Sequence, residues 1–283
     1  MTPAPSETTY LLGGSSAELE RIDGIHESTV NYMGKLLLAP IDFQSRRLRI
    51  LDSGTAGGRW LRELRKLQGS NHEYVGTDIT TSFLTSDLPD DNIIYRAWDI
   101  TKQWPQELLP GFDVVHQRFV LGAIRKAELH RTVSNLTHLV RPGGWIELLE
   151  SDVRQEVVTD DSNEAAPVWR LLRDVYLAMQ VEPDPDQYLR GWLEEAGFVD
   201  ISEVRVPVPV GPRRLDAEMG TKSARTVVVT AQHLVMGAKQ LGPEGTSFSP
   251  QALDALPREV GAALGKRGGT YSVYAIYGRR PSI

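Results

Sequence analysis

The chain has 283 residues, 41% of them hydrophobic, enough to bury a substantial core as one large domain or as one domain with a cap. A formal charge of -6 at pH 7 argues against a dominant phosphate-binding surface, although Arg46, Arg47 and Arg49 form a local basic cluster. There is no cysteine, which excludes disulfides, thiolate–zinc sites and cysteine nucleophiles, and no apolar run is long enough to cross a membrane.

The start MTPAPSETTY has neither the basic nor the apolar region of a leader, so a cytoplasmic protein is expected, with residues 1–14 a flexible N-terminus. Ser15 and Glu18 have capping-box spacing, in which each side chain satisfies an orphan amide of a helix start. Leu19, Ile22, Val30, Met33 and Leu37 then recur at helical intervals, predicting a cap helix within 15–40. LRILDSG reads as a strand ended by a turn, and RWLRELRKL as a helix carrying Trp60, Leu64 and Leu67. EYVGTDI, NIIYRAWDI, FDVVHQRF and GGWIELLES are further strands with helical stretches in several gaps. That alternation predicts an α/β fold over 41–160, a doubly wound and mostly parallel sheet with helices on both faces.

Beyond Ser151 the pattern changes. A helix over 163–180 presents Val168, Leu171, Leu172, Val175 and Met179, and a shorter one over 187–196 stops at Gly197. FVDISEVRVPVPVG is a strand whose Pro207 and Pro209 place it at an edge. Helices follow over 223–241 and from Ser249 and Pro250, and TYSVYAIYGRR closes the chain as a strand. Residues 161–283 therefore read as helical cap insertions plus two antiparallel closing strands of the same sheet.

ILDSGTAGGRW, from Ile50 to Trp60, places a glycine turn at the C-terminal end of the first strand, the edge where an open α/β sheet leaves a ligand crevice. Asp78 ends the second strand twenty positions after Gly58, the distance at which an acid meets a ribose hydroxyl. A dinucleotide fingerprint would need a glycine where Ala56 stands, for close approach of a pyrophosphate. A ligand with a ribose and no pyrophosphate escapes that requirement, and S-adenosylmethionine is such a ligand.

Asp52-x-Gly54-x-Ala56-x-Gly58 resembles motif I of the class I S-adenosylmethionine-dependent methyltransferases, and Asp78 matches the acid after their second strand. The likeness continues through Trp98-Asp99-Ile100, through Phe112-Asp113-Val114-Val115-His116, and through Leu139-Val140-Arg141-Pro142-Gly143-Gly144-Trp145. Motif I, the Val115-His116-Gln117-Arg118 run and the ending Tyr277-Gly278-Arg279-Arg280-Pro281 are also similar to the fungal methyltransferases of secondary metabolism. The resemblance implies a seven-stranded Rossmann-like sheet with an added helical cap, S-adenosylmethionine as cofactor, and methyl transfer to O or N of a small secondary metabolite. It also implies that Ser53, Gly54, Thr55, Ala56 and Gly58 pass beneath the methionine portion, with Asp52 oriented toward its ammonium, directly or through water. Asp78 would take the ribose, and Ile79, Trp98, Asp99 and Ile100 the adenine, with Gln117 and Arg118 where the methionine end and the substrate meet.

A base is needed only where the acceptor must lose a proton. His116 is the catalytic candidate, because imidazole titrates near neutrality and the residue ends the fourth strand; a core histidine satisfied by hydrogen bonds is the other reading. Tyr10, His26, Tyr32, Trp169, Tyr176 and His233 are the substrate-binding candidates, although Trp169 and Tyr176 also lie on one packed helix face. No metal is expected, Glu150 and Asp152 being the nearest to a ligand pair, and no nucleic-acid or membrane partner. A methyltransferase fold that binds the cofactor without methylating, or that acts as a regulatory binding protein, would have much the same sequence.

Overall fold

A computed structural model describes residues 15–84 and 93–282; the expected flexible start 1–14, with Tyr10, lies outside the described residues. Its strands are β1 (Arg49–Ser53), β2 (Glu73–Asp78), β3 (Ile93–Ala97), β4 (Phe112–Arg118), β5 (Val140–Ser151), β6 (Val199–Val210) and β7 (Gly269–Arg279). They form one sheet in the order β3-β2-β1-β4-β5-β7-β6. β1 to β5 pair in parallel, and β7 runs antiparallel to both β5 and β6. The order reverses between β1 and β4, so the loops after these two strands diverge and open a crevice at their C-terminal ends.

Period-two alternation sends successive side chains to opposite faces. On one face Ile50, Tyr74 and Val114 pack with Trp60, Leu61 and Leu64 of α2 (Arg59–Gln68). On the other, Leu51, Val75, Val115 and Leu148 meet α3 (Lys126–Leu139) and α6 (Asp186–Glu195). A third cluster joins Val208, Val210, Val273 and Ala275 of the closing strands to α5 (Ala166–Ala178), α7 (Ala217–Leu241) and α8 (Pro250–Arg267). α1 (Ser16–Met33) and the short α4 (Gln155–Val158) complete the α-helices among the described residues.

Three boundaries differ from expectation. α1 stops at Met33, where Gly34 takes φ +70 and donates its amide to Val30 O, so Leu37 packs with the α2 cluster from outside the helix. α7 begins at Ala217 rather than Ser223, because Asp216 caps the amide of Met219 and so adds a polar first turn that apolar spacing does not reveal. β5 begins at Val140 and runs through the expected Pro142-Gly143-Gly144 turn. Gly143 takes φ +79 there, and the register shifts opposite Phe112 to Val114, so the turn is a bulge in a continuous strand. Pro207 and Pro209 lie on β6, the edge strand. Two residues of the basic cluster are paired at the N-terminal ends of the central strands β1 and β4, where Arg46, together with Arg141, meets Asp113 and Arg49 meets Glu73.

Candidate active site

β1 ends in a loop that alternates into the left-handed region, with φ +73 at Gly54, +47 at Ala56 and +73 at Gly58. A Cβ on Gly54 would stand 2.3 Å from Val120 Cγ2, and one on Gly58 2.3 Å from the Tyr95 hydroxyl oxygen. Both positions therefore require glycine for space as well as for conformation. The amides of Gly54 and Thr55 both donate to Thr77 O, at 2.7 and 2.8 Å, which folds the loop over the end of β2.

Two carboxylates clasp it there. Thr55 Oγ1 donates to Asp52 Oδ2 at 2.7 Å, and the Ala56 amide donates to Asp78 Oδ2 at 2.8 Å. A left-handed alanine costs about 1 kcal/mol, and the charge-assisted bond to Asp78 offsets it. Ala56 is thus held by the same acid that the ribose reading invokes. Asp78 Oδ1 accepts from the Thr80 amide, and burial pushes the acid's pKa above the usual carboxylate range against the pull of these amides. Ile79 beside it is exposed, as a surface for a flat ring must be. The Trp98 amide donates to Asp78 O at 2.9 Å, joining the ends of β2 and β3. Asp99 accepts from the amide and hydroxyl of Thr101, Trp98 stacks on Trp104, and Ile100 is buried beside them.

A row of polar side chains without partners crosses the sheet below this loop. Ser53 pairs in register with Thr77 on one side and with Gln117 on the other. Among the described residues Ser53 Oγ, Thr77 Oγ1, both amide atoms of Gln117 and Trp98 Nε1 are buried without a hydrogen-bond partner. Each such group costs about 1–3 kcal/mol, so a row of them at a crevice calls for a polar ligand or for ordered water. A carboxylate beside an exposed apolar side chain, a glycine loop that admits backbone approach, and unmet donors and acceptors below suit a nucleoside with an amino-acid tail. The residues present fit S-adenosylmethionine.

The histidine candidates are all engaged. His116 is 1% exposed, its Nδ1 lies 2.7 Å from Asp52 Oδ1, and its ring stacks face to face on Trp60 at 3.8 Å. The core reading of His116, not the base reading, is the one this packing supports, since Trp60 covers a ring face and Asp52 takes Nδ1. His26 on α1 is buried between Arg118, 2.6 Å from its Nδ1, and Glu63, 2.8 Å from its Nε2. A guanidinium only donates, so Nδ1 accepts and Nε2–H donates. Burial and Arg118 together push the His26 pKa down to about 4, against the pull of Glu63. His233 on α7 lies 3.0 Å from Glu18, which is buried and also holds Arg21.

The aromatic candidates do not converge. Trp169 is buried 5.7 Å from Tyr271, Tyr176 packs its hydroxyl against Gly122, and Tyr32 is exposed beneath the guanidinium of Arg214. Glu150 accepts from the amides of Val120 and Leu121, and Asp152 binds Arg154, so both are committed within the protein. No group of three metal-binding side chains occurs among the described residues.

Four residues of the site escaped the sequence. Val120 roofs Gly54 and Tyr95 roofs Gly58, while Leu19 of α1 lies against Gly57. Phe119 takes φ +56 straight after β4, which turns the chain back toward the cap. Glu147 and Glu150 did carry a signal: acids set among Trp145, Ile146, Leu148 and Leu149 must be answered by donors, here the Leu38 and Ala39 amides for the first and the Val120 and Leu121 amides for the second.

A family model described as a methyltransferase domain matches residues 27–203. The chain is 30% identical to the N-methyltransferase gliN of Aspergillus fumigatus, over 99% of this chain and 100% of that one. It is 33% identical to the N-methyltransferase tcpN of Claviceps purpurea, over 93% and 94% of the two. Among solved structures, a phosphoethanolamine N-methyltransferase of Haemonchus contortus in complex with S-adenosylmethionine superposes with a TM-score of 0.52 at 15% identity; the alignment covers 92% of this chain and 52% of that one, and shows the fold alone. The chain belongs to the class I S-adenosylmethionine-dependent methyltransferases. It is an enzyme, and S-adenosylmethionine is its cofactor. No helix among the described residues is long and apolar enough to cross a membrane.

Proposed function

We propose that this enzyme methylates a nitrogen of a small secondary metabolite in the cytoplasm, without a nucleic-acid or membrane partner. The observation that carries the choice of nitrogen is the near full-length likeness to two proteins named N-methyltransferases. Bound S-adenosylmethionine supplies a methyl group on a positively charged sulfur.

The protein's part is alignment and exclusion of water, which can contribute roughly 7 kcal/mol to lowering such a barrier. Asp78 would accept the ribose hydroxyls while keeping the Ala56 amide, since a carboxylate has about four acceptor sites. Asp99 would serve the adenine edge and Ile79 its face. Ser53, Thr77 and Gln117 would regain hydrogen-bond partners toward the methionine portion. Each oxygen of Asp52 holds one partner, Thr55 or His116, so it fixes the loop and would still have acceptor sites to turn toward an ammonium. His116 acts through Asp52 as a positioning residue; a neutral amine would attack through its lone pair, and the ammonium so formed would lose its proton to water.

The test is turnover with labelled S-adenosylmethionine on a panel of small amines, amides and phenols. Label in a nitrogen-bound methyl group together with release of S-adenosylhomocysteine supports the reading. Label on oxygen or carbon, or a changed acceptor without label, overturns it.

A further inference from the structure

Arg118 stands at the C-terminal end of β4, partly buried, next to the unpartnered amide of Gln117. Several buried or half-buried ionic groups of this chain have a counter-ion, while Arg214 and Glu150 meet two neutral partners each, Ser28 O and Asn31 Oδ1 for the one and the Val120 and Leu121 amides for the other. Asp113 has Arg46 and Arg141, Glu18 has Arg21, and Asp184 has Arg173 at 2.7 Å. Among the described residues Arg118 has no such counter-ion: its hydrogen bond is to His26 Nδ1, and its other close contact is the ring of Phe119, 5.8 Å away. His26 cannot neutralise it. Its Nδ1 accepts and its other nitrogen is spent on Glu63, so the imidazole stays neutral and delivers no negative charge. Burial moves the Arg118 pKa down more than Asp52, Tyr271 and Glu63 nearby bring it back up.

A guanidinium withdrawn from water and given only a neutral acceptor is incomplete. Its planar fork matches a carboxylate, and four of its five N–H groups remain for one. The place is also specific. Asp52, which precedes the glycine loop, is near enough to act on the charge of Arg118, and His26 ties that side chain to α1.

We infer that Arg118 anchors a subsite for a carboxylate beneath α1, and that His26 is its positioning residue. The carboxylate comes either from the amino-acid end of the methyl donor or from the methyl acceptor. The inference rests on the crevice holding the adenosyl donor, which methylthioadenosine, having the nucleoside and thioether but no amino acid, tests separately.

The experiment is calorimetric titration of the full chain with S-adenosylhomocysteine, its decarboxylated analogue and methylthioadenosine, using wild type, Arg118→Met, Arg118→Lys and His26→Gln. If the donor supplies the carboxylate, Arg118→Met weakens S-adenosylhomocysteine at least 30-fold and the other two ligands less than threefold. Arg118→Lys recovers part of the loss, and His26→Gln loses about tenfold on the same ligand only. Wild type alone prefers S-adenosylhomocysteine over its decarboxylated analogue by at least 30-fold, a comparison that needs no variant to fold. If the acceptor supplies it, those affinities stay level, and wild type loaded with S-adenosylhomocysteine binds benzoate at least tenfold more tightly than loaded Arg118→Met does. Equal affinities in every comparison, with methylthioadenosine still binding wild type, overturn the subsite. Failure of methylthioadenosine to bind wild type overturns the crevice instead.

Discussion

The donor side and the cap side of this enzyme are built on different principles. On the donor side, Asp52, Thr55, Ala56 and Asp78 lie within one strand–helix–strand unit, and the loop is closed by hydrogen bonds spanning at most 23 positions. On the cap side, α1 is tied to β4 through His26 and Arg118 across 92 positions and to α7 through Glu18 and His233 across 215. The segment after α1 is tied to β5 by the Leu38 and Ala39 amides, which donate to Glu147 across 109 and 108 positions. A local loop holds its shape wherever its own unit folds, whereas the roof exists only once the whole chain has assembled. The glycine loop is therefore expected to keep its shape under damage to the roof better than the Arg118–His26 contact does.

The largest effect that can break this contrast is on the donor side. Asp78→Ala removes the acceptor for both ribose hydroxyls, the loss of two charge-assisted bonds worth about 4 kcal/mol together. Calorimetry should find S-adenosylhomocysteine bound roughly a thousandfold more weakly; a loss below tenfold would refute the ribose role.

On the cap side the expected effect is on stability and depends on pH. The His26 pKa falls from 6.5 to about 4 on folding. The unfolded chain therefore binds the proton first, and the stability that neutral His26 contributes is full above pH 6.5 and lost as pH falls toward 4. Comparing denaturation of wild type and His26→Gln, the pH-dependent difference across that window should reach about 3 kcal/mol. A pH-independent difference would show that His26 does not titrate against the Arg118 contact.

Glu150 runs the other way. Burial outweighs the loop amides and raises its pKa from 4.5 to about 7, so its contribution is full below pH 4.5 and lost as pH rises through 7. Glu150→Gln should flatten this slope at a cost of about 2 kcal/mol near pH 4.5, where one amide contact is lost. A variant as pH-dependent as wild type would remove Glu150 from the account.

The smallest effect belongs to Ala56. Ala56→Gly relieves the left-handed strain at φ +47 and raises stability by up to about 1 kcal/mol, seen as a melting temperature about 2 °C higher. No change, or a lower melting temperature, would mean that the Asp78 clasp already absorbs the strain.

This contrast also explains what could be read from the sequence. Motif I, Asp78 and the strand alternation were legible because they are patterns over a few residues, and the antiparallel closing pair followed from two apolar strands flanking a helical insertion. Val120 over Gly54, Tyr95 over Gly58 and the Arg118–His26–Glu63 chain were not, because nothing in one segment names its partner in another. His116 shows the same limit. Its position at the strand end was visible, but the Trp60 ring that covers it comes from α2 and the Asp52 oxygen from the neighbouring strand β1. Tyr32 and Trp169 share aromatic character, yet one is exposed on α1 and the other is packed in the interior.

Hydrogen exchange of the full chain with and without S-adenosylhomocysteine tests the donor crevice most directly. Added protection is expected at residues 53–58, 78–80 and 117–121, and not in the groove of about 240 Å³ that His130, Trp192 and Arg280 line between α3 and α6. Protection in that groove, or none in the glycine loop, would contradict the account.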